Sequence, residues 1–478
     1  MPLAEPAPES RISRRQLLSR AAALALAGGP AAGLLAACAG SGGGGAALTG
    51  TKSAANPLGV AADAPLEVVI FNGGFGEEYA KYDEGLYTKA FPAAKITHTA
   101  TQKISDLLQP RFAGGTPPDV VDDSGDGQIS VGTLVNNNAL ADLAPLFDAP
   151  SLDDPAVKVR DTLLPGALDV GTYNDKVYVL NYGYTVYGLW YNAKLFRERG
   201  WRPPRTWTEF TTLAPVIKAA GIAPLVHAGK YPFYMGVPIT DWVAKVGGQQ
   251  LTVAIDNLEP NAWRNDAVRT AVNAALELVR SGWVLPGAEG MSHTESQQAF
   301  LDGKAAFIPV GSWLENEMRK TIPPGTELTL IPMPSLTDHD AMPYGAVRAE
   351  ASEPFIVPAK AHNVNGGLEF LRLMLGRDAS RKFSELTSSL CVVKGAADGV
   401  TASTALASAN RIATSAGDNI IHFRSFIDWY KPFRSEWEAA TGELMAGRFT
   451  VEEWIDKVQA GADAIAADST VQKYHRTK

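Results

Sequence analysis

Between Val120 and Gly127 the sequence reads VVDDSGDG, so three carboxylates, Asp122, Asp123 and Asp126, follow a short β-branched run. Carboxylates this close together can hold a cation, work as an acid and base, accept hydrogen bonds from hydroxyls, or only form turns. The cation reading is incomplete, because the D-x-D-G pieces lack the glutamate that an EF-hand loop carries at its twelfth position. The seven histidines form no H-E-x-x-H pattern and no close pair. No G-x-x-x-x-G-K-[ST] loop is present, and NGGFG at Asn72–Gly76 is not a dinucleotide fingerprint. The sequence therefore calls for no metal and no cofactor, and any ATP hydrolysis linked to it must occur in a partner. The three carboxylates thus stand as turn formers, as acid and base, or as acceptors for hydroxyls, with Asn72 and Phe75 of the NGGFG stretch as further candidates for contact with a ligand.

The elements around these residues explain why the two stretches belong together. LEVVIFN, from Leu66 to Asn72, is a continuous apolar strand stopped by Gly73-Gly74. GEEYAKYDEGLYTKAF begins with acidic residues, as a helix N-terminus favours. A second strand, AKITHTAT, a second helix, QKISDLLQPRFAGG, and the strand before Asp122 follow. Strand, helix, strand, helix, strand predicts a parallel α/β sheet, in which ligands bind where strands end and helices begin. That rule selects Asn72–Gly76 and Asp122–Gly127. Downstream, YNDKVYVLNYGYTVYGLWYN is extended and aromatic. A helix follows it, and another begins at Thr206 behind Pro203-Pro204. No repeat with a period of 20–50 residues is found.

The N-terminus is of another kind. SRRQLLSRAAALALAGGPAAGLLAAC, Ser13 to Cys38, opens with Arg14-Arg15 and continues as an uncharged run too short for a bilayer span and interrupted by Gly28-Gly29-Pro30. A glycine-rich stretch that cannot pack follows it. Basic residues, an apolar region and small residues in that order mark an export signal. SRRQLL resembles a twin-arginine signal, with Leu17 where that family often has Phe. LAAC resembles the lipobox of bacterial lipoproteins, which implies that Cys38 is lipidated and becomes the mature first residue. Two or more acyl chains, at about 0.8 kcal/mol per buried CH2, would anchor it stably. Residues 1–37 carry four basic and two acidic side chains, so their removal leaves a chain more acidic than the whole, whose net charge is −8. That charge argues against nucleic acid or an anionic membrane surface as partner. With Cys38 lipidated no internal disulfide can form, and Cys391 reads as a small buried hydrophobe.

From about residue 64 to the C-terminal helices the chain resembles the bacterial extracellular solute-binding proteins for sugars, the group that includes maltose-binding protein. The resemblance rests on the hydrophobic strand, YN, LF, G and P-x-T-W-x-E-F in that order, then AFLDGKAAFIPVGSW, LTLIPMP and EPFIVPAKAHNVNGGLEFLRLML. IFNGGFGEEYAKY, LQPRFAGGTPPDVVDDSG, HTESQQAF, GSWLENEM and IDWYKPF are similar to the actinobacterial lipoproteins that bind N-acetylglucosamine and diacetylchitobiose. The resemblance implies an α/β, two-lobed periplasmic-binding-protein-like fold of type II, with a hinge between discontinuous lobes. By analogy, a signal peptide occupies 1–37 and a lipidated tether 38–63. Lobe 1 takes 64–185 plus 345–376, lobe 2 takes 186–344 plus 377–470, and 471–478 form a tail. The implied protein is no enzyme. It is a monomer on the outer face of the cell membrane that passes an amino sugar to an ABC permease; another di- or oligosaccharide is the alternative.

Sugars present apolar C–H faces that stack on rings, and hydroxyls or amides that need partners once buried. The family pattern implies a stacking Trp313 after PVGS, another aromatic at Trp429 beside Tyr430, and a platform tyrosine, Tyr231 or Tyr234, in HAGKYPFYM. YGAVRAEASEPF places Arg348, Glu350 and Glu353 near the second hinge, with Glu350 as a hydroxyl acceptor and Arg348 as either a ligand group or a hinge ion pair. Two rival classes remain. An anchored glycoside hydrolase would need two carboxylates about 5–9.5 Å apart flanking one bond. An adhesion module would fit the anchor but not the crossover segment.

Overall fold

The computed structural model describes residues 48–477 apart from 126, 165, 401 and 402. Cys38 and Asp126 lie outside the described residues. The predicted alternation is found. Strands β1 (Leu66–Phe71), β2 (Ile96–Thr101) and β3 (Val120–Asp122) are parallel, with helices Glu78–Ala90 and Ile104–Gly114 between them. Buried Val68, Val69 and Ile70 make β1 apolar on both faces, as a sheet covered on both sides requires. A tight hairpin, β4 (Thr172–Tyr173) and β5 (Lys176–Val177), turns at Asn174-Asp175, both with positive φ (50° and 62°), the conformation a two-residue hairpin needs.

The remaining strands are β6 (Leu180–Asn192), β7 (Ala223–Leu225), β8 (Ala305–Gly311), β9 (Leu328–Ile331), β10 (Val347–Ile356), β11 (Leu390–Cys391) and β12 (Ile420–Ile421). The main sheet runs β2-β1-β3-β10-β6-β8-β7. β6 serves both lobes. Leu180–Val186 pairs antiparallel with β10, whose far end pairs with β3, whereas Tyr187–Asn192 pairs with β8 and β9. Beyond Asn192 the chain enters helix Ala193–Arg199, and helix Trp207–Ala219 starts at Thr206, which forms a capping box with Glu209.

The segment after β10 packs on the β1 side of the sheet. Helix Arg377–Thr387, assigned above to lobe 2, places Phe383 against Phe75 (5.2 Å), Tyr79 (5.2 Å) and Tyr182 (5.0 Å). β11 then pairs with Gly183 and Tyr184 at the lobe 1 end of β6. Residues 377–391 thus pack against Phe75, Tyr79 and the Leu180–Val186 half of β6, where Phe383 completes an aromatic cluster. Cys391 is buried there, and burial pushes its thiol up to about 12, which keeps it an unreactive hydrophobe. The tail also packs. The Tyr474 N–H donates to the Tyr430 hydroxyl (2.9 Å) and Arg476 pairs with buried Asp256 (2.7 Å). Among the described residues no helix is long and apolar enough to cross a membrane.

Candidate ligand-binding site

Five rings form a row on lobe 2. β8 ends at Gly311, where a Cβ would overlap the ring of Trp313, so glycine lets that indole fold back over the strand end. Trp313 meets Tyr187 of β6 edge-on at 5.5 Å and Tyr234 at 6.4 Å. Tyr234 lies in the first turn of helix Phe233–Asp256 and is parallel to the imidazole of His293 at 6.4 Å. Tyr231, at 37% exposure, ends the row 5.5 Å from His293. His293 starts helix His293–Leu301, which Ser292 and Glu295 cap reciprocally. Its Nε2 is 3.2 Å from Glu317, whose other oxygen accepts from Gln297 (2.7 Å). Behind the row, Tyr187, Phe233, Tyr234, Asp241 and Met333 line a space of about 10 Å³, room for one water at most, so the row is firmly backed.

The loop after β1 reaches the row's edge, and the loop after β3 sits beside it. The Phe71 ring lies between Gly73 and Gly125, and a Cβ on either would overlap it, so the two loops sit side by side. Asn72 is exposed, with its N–H donating to the Thr101 carbonyl (3.0 Å) and its carbonyl accepting from Gln102 Nε2 (3.0 Å). Phe75 is half-buried against Phe383. Gly74 meets lobe 2: its carbonyl accepts from Asn316 Nδ2, and a Cβ on it would lie 3.9 Å from Trp313 Cβ.

The strand-end carboxylates have a different surrounding from the one expected. Asp122 and Asp123 are fully buried. Asp122 accepts from the Tyr79 hydroxyl (3.0 Å) and from Ser124 Oγ, and is hydrogen-bonded to the Glu353 carboxyl. Burial pushes Asp122 up to about 6 and raises Glu353 well above the usual carboxyl range, so one proton is held between them. Glu353 sits at φ 60° within β10, a conformation rare for a side chain that long. Asp123 Oδ1 accepts from the Ile129 N–H (2.8 Å), Oδ2 has no partner, and burial pushes the group up to about 8. Both aspartates fasten β3 and its loop from within instead of facing outward.

Near the crossing of β6 and β10, Glu350 is half-buried opposite Thr185, and burial pushes it up to about 7 against the opposing pull of Arg348. Arg348 is a hinge ion pair: it is fully buried, with Nε donating to Asp241 (2.9 Å) and Nη2 to Thr240 (2.8 Å). Trp429 stands in a second cluster, with Arg424 5.7 Å from its ring, Tyr430 at 6.2 Å and Tyr474 at 5.5 Å. Tyr231, Tyr234, Trp313 and the Asn72–Gly76 loop are therefore brought together, and Trp429 is not part of that row. The sequence reading missed His293, Glu317, Asn316 and Tyr187. Three of them lie inside HTESQQAF and GSWLENEM, but no spacing shows that these two segments meet. Among the described residues no group of His, Cys, Asp and Glu is placed to hold a metal ion.

Residues 70–380 match the family model for bacterial extracellular solute-binding proteins. The chain belongs to that family. This solute-binding protein is 36% identical over 465 residues to the diacetylchitobiose binding protein NgcE of Streptomyces coelicolor, covering 97% of this chain and 98% of the relative. It is 25% identical over 232 residues to a multiple sugar-binding protein of Streptococcus mutans, 46% of this chain and 53% of the relative. Among solved structures, a chitin oligosaccharide binding protein superposes with a TM-score of 0.64 at 20% identity, over 81% of this chain and 94% of that one. The apo form of RafE from Streptococcus pneumoniae superposes with 0.65 at 18% identity, over 84% and 98%. These likenesses establish the type II solute-binding fold, and family membership places the protein outside the cytoplasm.

Proposed function

We propose that this protein captures an N-acetylated amino sugar, N-acetylglucosamine or its β-linked dimer diacetylchitobiose, between its lobes and delivers it to an ABC permease. The observation that carries the reading is identity along nearly the whole chain with a protein named for binding diacetylchitobiose. The ring row supports it. Tyr231, Tyr234 and Trp313 offer faces for sugar C–H groups, Glu317, paired with His293 of the row, is a partner for hydroxyls or an acetamide, and Asn72 lies in the loop that meets Trp313 through Gly74. Lobe 1 on this reading takes 64–185 plus 345–391, lobe 2 the rest up to 470. A ligand touching both lobes stabilises the closed arrangement, and moving the populations from 1:99 to 99:1 takes about 5.5 kcal/mol of differential affinity. Cys38 carries the lipid that keeps the protein at the outer face of the membrane, where it works as a monomer.

The test is calorimetry with N-acetylglucosamine, diacetylchitobiose, maltose and cellobiose, followed by chromatography of the recovered ligand. A site that satisfies an acetamide leaves polar groups unpaired around glucose units, so the amino sugars bind at least about a hundredfold more tightly. Equal affinities would refute the amino-sugar reading while sparing transport. Diacetylchitobiose recovered as monomer would instead establish a hydrolase.

A further inference from the structure

The helical turn from Trp313 to Arg319 serves three neighbours at once. Leu314 and Met318 are buried and anchor it in the core. Trp313 and Glu317 belong to the ring row, the second through His293. Asn316 and Arg319, three and six residues after Trp313 and so along one side of the turn, reach the other lobe. Asn316 Nδ2 donates to the Gly74 carbonyl in the loop after β1. Arg319 Nη2 donates to the Leu386 carbonyl at 2.6 Å and lies 3.5 Å from Ser388 Oγ. Leu386 is in the last turn of helix Arg377–Thr387, whose Ser388 cap is left-handed (φ 52°). A helix end leaves carbonyls without intrahelical donors and carries partial negative charge, which a guanidinium satisfies. Phe383 fixes that helix to lobe 1 through Phe75 and Tyr79.

We propose that Asn316 and Arg319 form a two-point latch that holds the lobes closed and thereby sets ligand affinity without touching the ligand. Because Trp313 shares their turn, a sugar stacked on its ring fixes the latch donors against Gly74 and Leu386, and a closed latch fixes the ring. The proposal rests on capture between two lobes and not on which sugar is bound. Both are positioning residues, so their signature is kinetic: the latch forms after encounter, and its loss speeds release without slowing capture.

The experiment uses the full chain with Cys38→Ser and spin labels on Leu107→Cys in lobe 1 and Val216→Cys in lobe 2, both exposed positions, while buried Cys391 stays unlabelled. Distance distributions are recorded without ligand for this parent and for Asn316→Ala/Arg319→Ala, with Asn316→Asp as a same-size variant that sets a carboxylate against the Gly74 carbonyl. The expected result is a smaller short-distance fraction in both variants at an unchanged melting temperature. Stopped-flow tryptophan fluorescence with diacetylchitobiose then gives a release rate at least about tenfold faster, with the capture rate within about twofold. Identical distance distributions, or an unchanged release rate, would overturn the latch. Failure of the parent to bind any sugar of the panel would count against the ligand alone, since the ligand-free comparison contains none.

Discussion

Arg348 and Asp241 form a fully buried ion pair, Nε to Oδ1 at 2.9 Å, joining β10 to helix Phe233–Asp256. β10 crosses between the lobes, and that helix carries Tyr234 in its first turn, so the pair ties the hinge to the ring row. Arg348 Nη1 has no partner, which makes the pair an incomplete network. Removing one member strands the other charge, and Arg348→Met should cost about 3–5 kcal/mol in urea unfolding. Arg348→Met with Asp241→Leu should recover most of that loss. A single variant as stable as the parent would mean that Asp241 is already neutral.

The pH dependence of stability has an unusual sign. Asp123, pushed up to about 8, and Glu350, pushed up to about 7, hold their protons more tightly folded than unfolded. Stability contributed by such acids is lost as pH rises from the unfolded value toward the folded one. Buried His227 and half-buried His422, lowered to about 4, oppose this only below their unfolded value of about 6.5. Lys245, lowered to about 8, acts above that value. Glu353 and Asp83, raised well above the usual carboxyl range by burial, act in the same direction, so the chain should lose stability between pH of about 6.5 and 8, and Asp123→Asn should lower the slope by about 1 kcal/mol per pH unit below its folded value. Calorimetric scans across that range check it, and a melting temperature that rises with pH in the parent would contradict it.

Trp313→Ala should weaken sugar binding by about 1–3 kcal/mol, the range for losing an aromatic anchor, and change the ligand-free melting temperature little because the indole is only half-buried. Trp429→Ala should do the reverse, since its ring backs Tyr474 and Arg424. Isothermal titration beside thermal melting separates the two. Weakened binding with unchanged melting in Trp429→Ala would return Trp429 to the ligand.

Cys38→Ala should release the protein from the membrane fraction and leave the folded domain as it was. Fractionation with metabolic lipid labelling reads this directly. Retention without label would assign anchoring to the apolar run before the cysteine.

Much of this protein is decided within short stretches of its sequence. The parallel order of β1, β2 and β3, the Thr206 cap and the burial of Cys391 follow from apolar runs, cap residues and glycines a few positions apart, because local periodicity and backbone preference act over that range. The pattern of motifs likewise fixes the family and so the two-lobed fold. Tertiary structure alone decides which way the strand-end carboxylates turn: Asp122 faces Tyr79, 43 residues earlier, and Glu353, because those side chains bury it more favourably paired than open. It alone brings His293 between Tyr231 and Tyr234, gives Trp429 to Tyr474, and sets Phe383 against Tyr182 and Tyr79. Each of these outcomes depends on which distant surface supplies the missing contact, and a contact between segments far apart leaves no periodicity in either of them.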